Sequence, residues 1–198
     1  MNQQKLVVFA APSGAGKTTL VRHLLKQVPD IMFSVSATTR KRRPKEIHGK
    51  DYYFISKQAF LHKIDSNQFL EWQEVYDGNY YGTLKSEIDR IWSLNKALVF
   101  DVDVKGALNI KKHYGDKALT VFVQPPSIES IKQRLTGRNT ETNEAQQERV
   151  EKAFLELKYA PLFDKVVIND DLNTAKQEAC EIVQRFLAAE VTATSLMR

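Results

Sequence analysis

The segment Ala11-Pro-Ser-Gly-Ala-Gly-Lys-Thr18 joins an apolar run to the helical pattern Thr19-Leu-Val-Arg-His-Leu-Leu25. Gly14 and Gly16 permit a tight turn whose backbone N–H groups face one hollow, and the positive end of the following helix adds to the attraction for an anion. Polyphosphate suits such a hollow. Ser13, Gly14, Ala15, Gly16, Lys17, Thr18 and Thr19 would line it, with Lys17 against the terminal phosphates and the Thr18 hydroxyl in the shell of a magnesium ion. The general pattern G-x-x-x-x-G-K-[ST] wants glycine where Ala11 stands, and a bare Gly-Lys-Thr also occurs in ordinary strand-to-helix turns, so placement after a strand and before a helix decides its weight. A second feature agrees: Val99-Phe-Asp-Val-Asp103 is an apolar run ending in carboxylates, and such strand ends open onto the binding crevice of an α/β sheet. Asp101 reads as the acidic partner of the magnesium, or else as a helix cap, since Lys105-Gly106 follows.

The densest basic run is Arg40-Lys-Arg-Arg-Pro-Lys45. Taken alone it fits a nucleic-acid patch, a targeting signal or a solvated surface. Because it follows a strand-like run and precedes aromatic ones, a small phosphorylated acceptor explains it better.

The elements that must position these residues show in the hydrophobic pattern. Residues 6–10, 32–38, 97–102, 119–123 and 165–168 are β-rich and mostly continuously apolar, as in strands buried on both faces. Helical spacing marks residues 18–27, 127–136, 144–159 and 172–188, and the alternation predicts a parallel α/β sheet. Residues 41–83 break the rhythm with aromatic strand-like runs at 52–55 and 69–76 and a turn at Gly78-Asn79, which predicts a small, partly antiparallel insertion. The polar stretch 134–149 reads as a mobile flap, with Asn143 and Gln146 as a capping box for the next helix.

A chain of 198 residues, 42% hydrophobic and 27% charged, can build one core and is too ordinary in balance for disorder or a fibre. Its net charge of +5 permits a partner bearing phosphate without identifying one. Cys180 lies in Glu-Ala-Cys-Glu, without an activating base, and reads as a helix residue. The run at 6–11 is too short for a signal peptide, and no stretch approaches the roughly 20 apolar residues that cross a bilayer. The expectation is a cytoplasmic protein with no membrane partner.

An ordered series of segments resembles the landmarks of guanylate kinases, nucleoside monophosphate kinases of the P-loop fold. The segments are Ser13-Gly-Ala-Gly-Lys-Thr18, Ser34-Val-Ser-Ala-Thr-Thr-Arg40, Gly49-Lys-Asp-Tyr52, Phe69-Leu-Glu-Trp72, Gly78-Asn-Tyr-Tyr-Gly82, Asp101-Val-Asp103, Arg134-Leu-Thr-Gly-Arg138 and Ile168-Asn-Asp-Asp171. The resemblance implies a P-loop NTPase-type parallel sheet flanked by helices, with a small mixed α/β acceptor-binding insertion and a helical lid. In those terms the core is 1–33, 84–133 and 150–190, the GMP-binding insertion 34–83, the lid 134–149 and the tail 191–198. The implied reaction is ATP + GMP to ADP + GDP with Mg2+, dGMP being a further acceptor.

Around guanine the resemblance places Glu71 as the carboxylate, Ser36 and Thr83 as hydroxyls and Asp103 as a further acid. The chemistry is apt, because the guanine edge offers N1–H and N2–H donors beside an O6 acceptor, whereas adenine reverses the group at position 6 and lacks the 2-amino group. Around the acceptor phosphate it places Arg40, Arg43, Tyr52 and Tyr81, although Arg42 and Lys45 stand where the family usually has proline and glycine. The lid arginines matched are Arg134, Arg138 and Arg149, with Asn139 in place of a usual glycine. Asn169 to Asp171 fit either an adenine contact or a cap on the last helix.

The nucleophile in such a reaction is an ionised phosphate oxygen, so no general base is required. His23, His48, His62 and His113 are dispersed without metal-ligand spacing. Three rivals remain at this stage. A guanylate-kinase-like interaction module typically has a degraded phosphate loop, whereas this chain retains Lys17, Thr18, Asp101 and the lid arginines, which argues against it. A GTPase lacks its N-K-x-D motif here, although another nucleotide kinase is not excluded. A nucleic-acid binder using residues 40–45 would lose affinity steeply with salt, and the expectation is no nucleic-acid partner.

Overall fold

Leu6, Val7, Val8, Phe9 and Ala10 are each fully buried, as a strand covered on both faces requires. A computed structural model describes residues 4–76, 78–136 and 143–189. The first half of the chain runs β1 (Leu6–Ala10), α1 (Lys17–Gln27), β2 (Ile31–Phe33), β3 (Ala37–Thr38), β4 (Tyr53–Phe54), α2 (Lys57–Asp65), β5 (Phe69–Tyr76) and β6 (Asn79–Leu84). The second runs α3 (Lys85–Ser93), β7 (Ala97–Asp101), α4 (Val104–Tyr114), β8 (Ala118–Gln124), α5 (Ile128–Thr136), α6 (Asn143–Leu157), β9 (Lys165–Ile168) and α7 (Leu172–Ala188).

The larger sheet has the order β2-β7-β1-β8-β9, and all its pairings are parallel. Alternation along β1 divides the core into two layers. Val7 and Phe9 join Leu20, Leu24, Val121 and Val183 beneath α1 and α7, while Leu6, Val8 and Ala10 join Ile88, Ile91, Leu98 and Ile110 beneath α3 and α4. The carboxyl ends of β1 and β7, neighbours in the sheet, therefore carry the glycine loop and Asp101 to one edge.

The run 32–38 is not one strand. Its first part pairs with β7, and the amide of Ser34 still reaches Val99 O at 2.9 Å, but the amide of Val35 is taken by a side chain, Glu87 Oε1, at 3.1 Å. With that amide diverted the ladder ends, and β3 enters a second, four-stranded sheet of order β4-β3-β6-β5. This sheet is mixed: β3 lies parallel to β4 and antiparallel to β6, and β5 and β6 form a hairpin closed at Gly78, whose φ of 73° suits a residue without a side chain. A small core of Ala37, Phe60 and Phe69 holds it, with the two phenyl rings stacked at 4.3 Å. Ser56 caps α2 by accepting from the Ala59 amide.

Lys5 is among the most buried side chains, at 2% exposure. Its ammonium donates to Phe186 O at 2.8 Å, to Leu187 O at 3.1 Å and to Ala189 O, satisfying carbonyls that the end of α7 leaves open. Burial holds its pKa below the usual lysine value. Lys5→Met should lower the melting temperature by roughly 2–12 °C, since it leaves part-buried carbonyls unpaired at about 1–3 kcal/mol, and an unshifted thermal melt would refute this.

Candidate active site

Helix α1 starts at Lys17 with no side-chain cap, so its first N–H groups are open to the loop before it. Gly14 and Gly16 have φ of 85° and 91°, and the loop closes through an Ala15 N to Pro12 O bond of 3.1 Å. Asn169, buried at the end of β9, supports it from below by donating from Nδ2 to Ala15 O at 2.7 Å. A Cβ on Gly16 would run into that same amide nitrogen, which fixes the residue as glycine.

At the mouth of the loop Lys17 Nζ donates to Val102 O at 2.7 Å and pairs with the Asp101 carboxylate, whose other oxygen accepts from Thr18 Oγ1 at 3.0 Å. The capping role weighed for Asp101 falls to Asp103, which opens α4 by accepting from the Gly106 amide at 2.7 Å. Asp101 thus faces the loop. Asp171 caps α7 through the Thr174 amide and hydroxyl, as the capping reading of residues 169–171 expects, while Asn169 supports the loop, a role neither reading included.

On the facing sheet Glu71 and Thr83 are directly opposed in the β5/β6 register, next to an irregularity between Phe69 and Glu71. The Thr83 hydroxyl donates to Glu71 Oε1 at 2.7 Å. Burial lifts the Glu71 carboxyl to about 7, against the stabilising Thr83 bond and with help from the charge of Asp103. A carboxylate poised there is a strong acceptor waiting for donors. Tyr52 and Tyr81 meet edge to face, with ring centres 5.9 Å apart, and burial followed by the Asp101 charge pushes the Tyr52 phenol up to about 12. The Tyr52 phenol is therefore a protonated donor at neutral pH.

Arg40 stacks over Tyr52 at 5.3 Å, and after Glu46 the nearby Tyr81 phenol adds to the partners that favour its charged form. Its fork is also engaged by Glu46, at 2.9 and 2.7 Å, and this pairing holds the Glu46 carboxyl down to about 2. Arg43 is exposed, and its backbone amide, rather than its side chain, meets Glu46. The structure therefore gathers Arg40, Tyr52 and Tyr81 and leaves the Arg43 side chain aside.

One cleft of about 600 Å³ connects these parts. Residues 11–19 line one end, Ser36, Tyr52, Glu71 and Tyr81 the other, and Asp101 and Asp103 lie on the wall joining them. Among the described residues no cluster of three or more His, Cys, Asp or Glu could hold a metal, and no helix is long and apolar enough to cross a membrane.

The family model described as guanylate kinase matches residues 3–190. The guanylate kinase of Bacteroides fragilis is 47% identical over 188 residues, covering 95% of this chain and 92% of that protein. That of Bacteroides thetaiotaomicron is 48% identical over 186 residues, 94% of this chain and 91% of its own length. This chain belongs to the guanylate kinase family. The crystal structure of guanylate kinase from Anaplasma phagocytophilum, 24% identical, superposes with a TM-score of 0.74 over 93% of this chain and 87% of that one, which supports the fold alone.

Within this guanylate kinase site, sequence reasoning misses Glu46, Lys152, Glu156 and the supporting role of Asn169. Lys152 and Glu156 reach the cleft from α6. They follow Arg149 at helical spacings of three and seven, a signal that could have found them. Burial raises the Glu156 pKa, opposed by Lys152 and Lys17 and reinforced by Asp103. Of the lid arginines, Arg134 falls in α5 and Arg149 in α6, and the side chains of both, like the whole of Arg138, lie outside the described residues.

Proposed function

We propose that this member of the guanylate kinase family transfers the γ-phosphoryl group of ATP to GMP, and also to dGMP, across the cleft between the two sheets. The observation that carries the reading is the shared cleft itself: a glycine loop with Lys17 at one end and an ionisable Glu71 bonded to Thr83 at the other. ATP phosphates occupy the loop of Ser13, Gly14, Ala15, Gly16, Lys17, Thr18 and Thr19. Guanine lies against Glu71, Ser36, Thr83 and Asp103, the carboxylate accepting from N1–H and N2–H. Arg40, Tyr52 and Tyr81 hold the acceptor phosphate, joined by Arg43 once its exposed side chain turns inward.

In the transfer an acceptor phosphate oxygen forms the new bond to the γ-phosphorus while the bond from that phosphorus to the bridging β-oxygen breaks. No proton need be removed first. Lys17, with Arg134, Arg138 and Arg149 from the lid, offsets charge on the moving group, and closure keeps water from intercepting it. Thr18 Oγ1 and the Asp101 carboxylate are hard oxygens 3.0 Å apart, a donor pair that would suit magnesium. When bound, the ion would supply charge neutralisation for the donor phosphates. A cytoplasmic setting, where ATP is abundant, suits this reaction.

A coupled assay offering ATP with GMP, dGMP, AMP, CMP or UMP tests the reading. GMP should be the best acceptor, with AMP at least about 10³-fold less efficient, because it would leave buried polar groups of the site unpaired. Preference for AMP would overturn the role given to Glu71.

A further inference from the structure

Glu87 lies in the first turn of α3, only 3% exposed, and lines no part of the cleft. A buried carboxylate is costly unless its oxygens are fully used, and these are. Oε1 accepts from the Val35 amide at 3.1 Å and from Arg90 Nη2 at 2.8 Å, while Oε2 accepts from the Tyr53 hydroxyl at 3.1 Å and from Arg90 Nε at 2.9 Å. Burial pushes its pKa up, but the Arg90 and Val35 bonds with the Arg90 charge prevail and hold it below the usual carboxylate range. It stays ionised at neutral pH.

The partners matter because of where they stand. The chain leaves the larger sheet for the smaller one through residues 34–36 and returns where β6 runs straight into α3. Glu87 is bonded to the outgoing crossing at Val35 and sits just beyond the returning one. Helix α3 is itself anchored in the main core through Ile88 and Ile91. On the acceptor side, Val35 adjoins Ser36, and Tyr53 adjoins Tyr52, both in the cleft lining. Tyr53 also pairs in register with Ala37 across β3 and β4.

The geometry points to Glu87 as a positioning residue for the acceptor nucleotide: its carboxylate clamps the crossing segment and β4 to α3, and so sets Ser36 and Tyr52 against Glu71 and the phosphate loop. This inference rests on reading the far end of the cleft as the GMP site. It concerns a residue that touches no substrate, and it separates the two substrates, because the loop that holds ATP springs from β1 and makes no bond to Glu87.

The test is steady-state kinetics with ATP and GMP varied separately for wild type, Glu87→Gln and Tyr53→Phe. Glu87→Gln keeps the size but turns one acceptor oxygen into a donor facing donors; KM for GMP should rise about tenfold while KM for ATP stays within about twofold. Tyr53→Phe removes one donor and keeps the ring, and should raise KM for GMP about threefold with ATP unaffected. If Glu87→Gln does not fold, Tyr53→Phe decides. Equal changes in both KM values, or an unchanged KM for GMP in the deciding variant, would overturn the inference. Wild type that fails to phosphorylate GMP removes the acceptor reading itself, whereas active wild type with an unmoved variant removes only the role of Glu87.

Discussion

Lys17→Ala should leave a folded protein whose kcat with ATP and GMP falls by about 10³-fold, the scale of losing a preorganised charge at a transferring phosphoryl group. The fold should survive because Lys17 opens α1 with its side chain partly in solvent, and the buried face of that helix is Leu20, Val21 and Leu24. The ammonium rests against Asp101 and Val102 O, partners at the rim of the cleft. On the proposed reading, that position would set the charge within reach of the β- and γ-phosphates of bound ATP. The diagnostic is the split between constants: a rise in KM for ATP with kcat intact would make Lys17 a ground-state anchor only, and wild-type turnover would disqualify the loop. Unchanged circular dichroism and melting temperature guard against a trivial loss.

Much of this arrangement is legible in the sequence, for reasons particular residues make plain. A run such as Leu6 to Ala10 has no polar position, so burial on both faces follows at once, and β5 emerges with the same limits, 69–76, that its aromatic residues predict. Residues 32–38 mislead because both halves look like strand; what divides them is the Val35 amide turning to Glu87, a partner remote in sequence. Helix α2 gives a weak helical signal because it buries only Phe60. Helix α3 is clearly amphipathic, with an apolar stripe of Ile88 and Ile91, and departs from the pattern only in burying the charged Glu87 beside it. In the site, residue types announce the chemistry of the loop, the acids and the arginines. Their pairings do not show, because Lys17 with Asp101 and Asn169 with Ala15 are joined by the parallel sheet, and Glu46 with Arg40 by the curl of a loop.

Glu71→Gln should lower kcat/KM for GMP on the order of 10²- to 10³-fold, chiefly through KM, and leave KM for ATP nearly unchanged. The substitution retains an oxygen to accept from Thr83 but sets an NH2 donor against the two guanine donors, so the loss measures recognition rather than collapse. The pH dependence distinguishes this role from a structural one. Because burial lifts the carboxyl to about 7, only part of the free enzyme carries the ionised acceptor near neutrality, and wild-type kcat/KM for GMP should climb as pH rises through that value and then level. The glutamine variant has nothing to titrate there and should lack that rise. Stability runs the other way. A folded pKa above the unfolded one contributes stability that is present below the unfolded carboxylate value of about 4.3 and lost as pH rises through about 7. Without ligand, Glu71→Gln should therefore melt above wild type at about pH 8, and saturating GMP should reverse the order, since the nucleotide stabilises the protein that binds it more tightly. A variant that melts below wild type under both conditions would mean that Glu71 holds the small sheet together, and that another group reads the base.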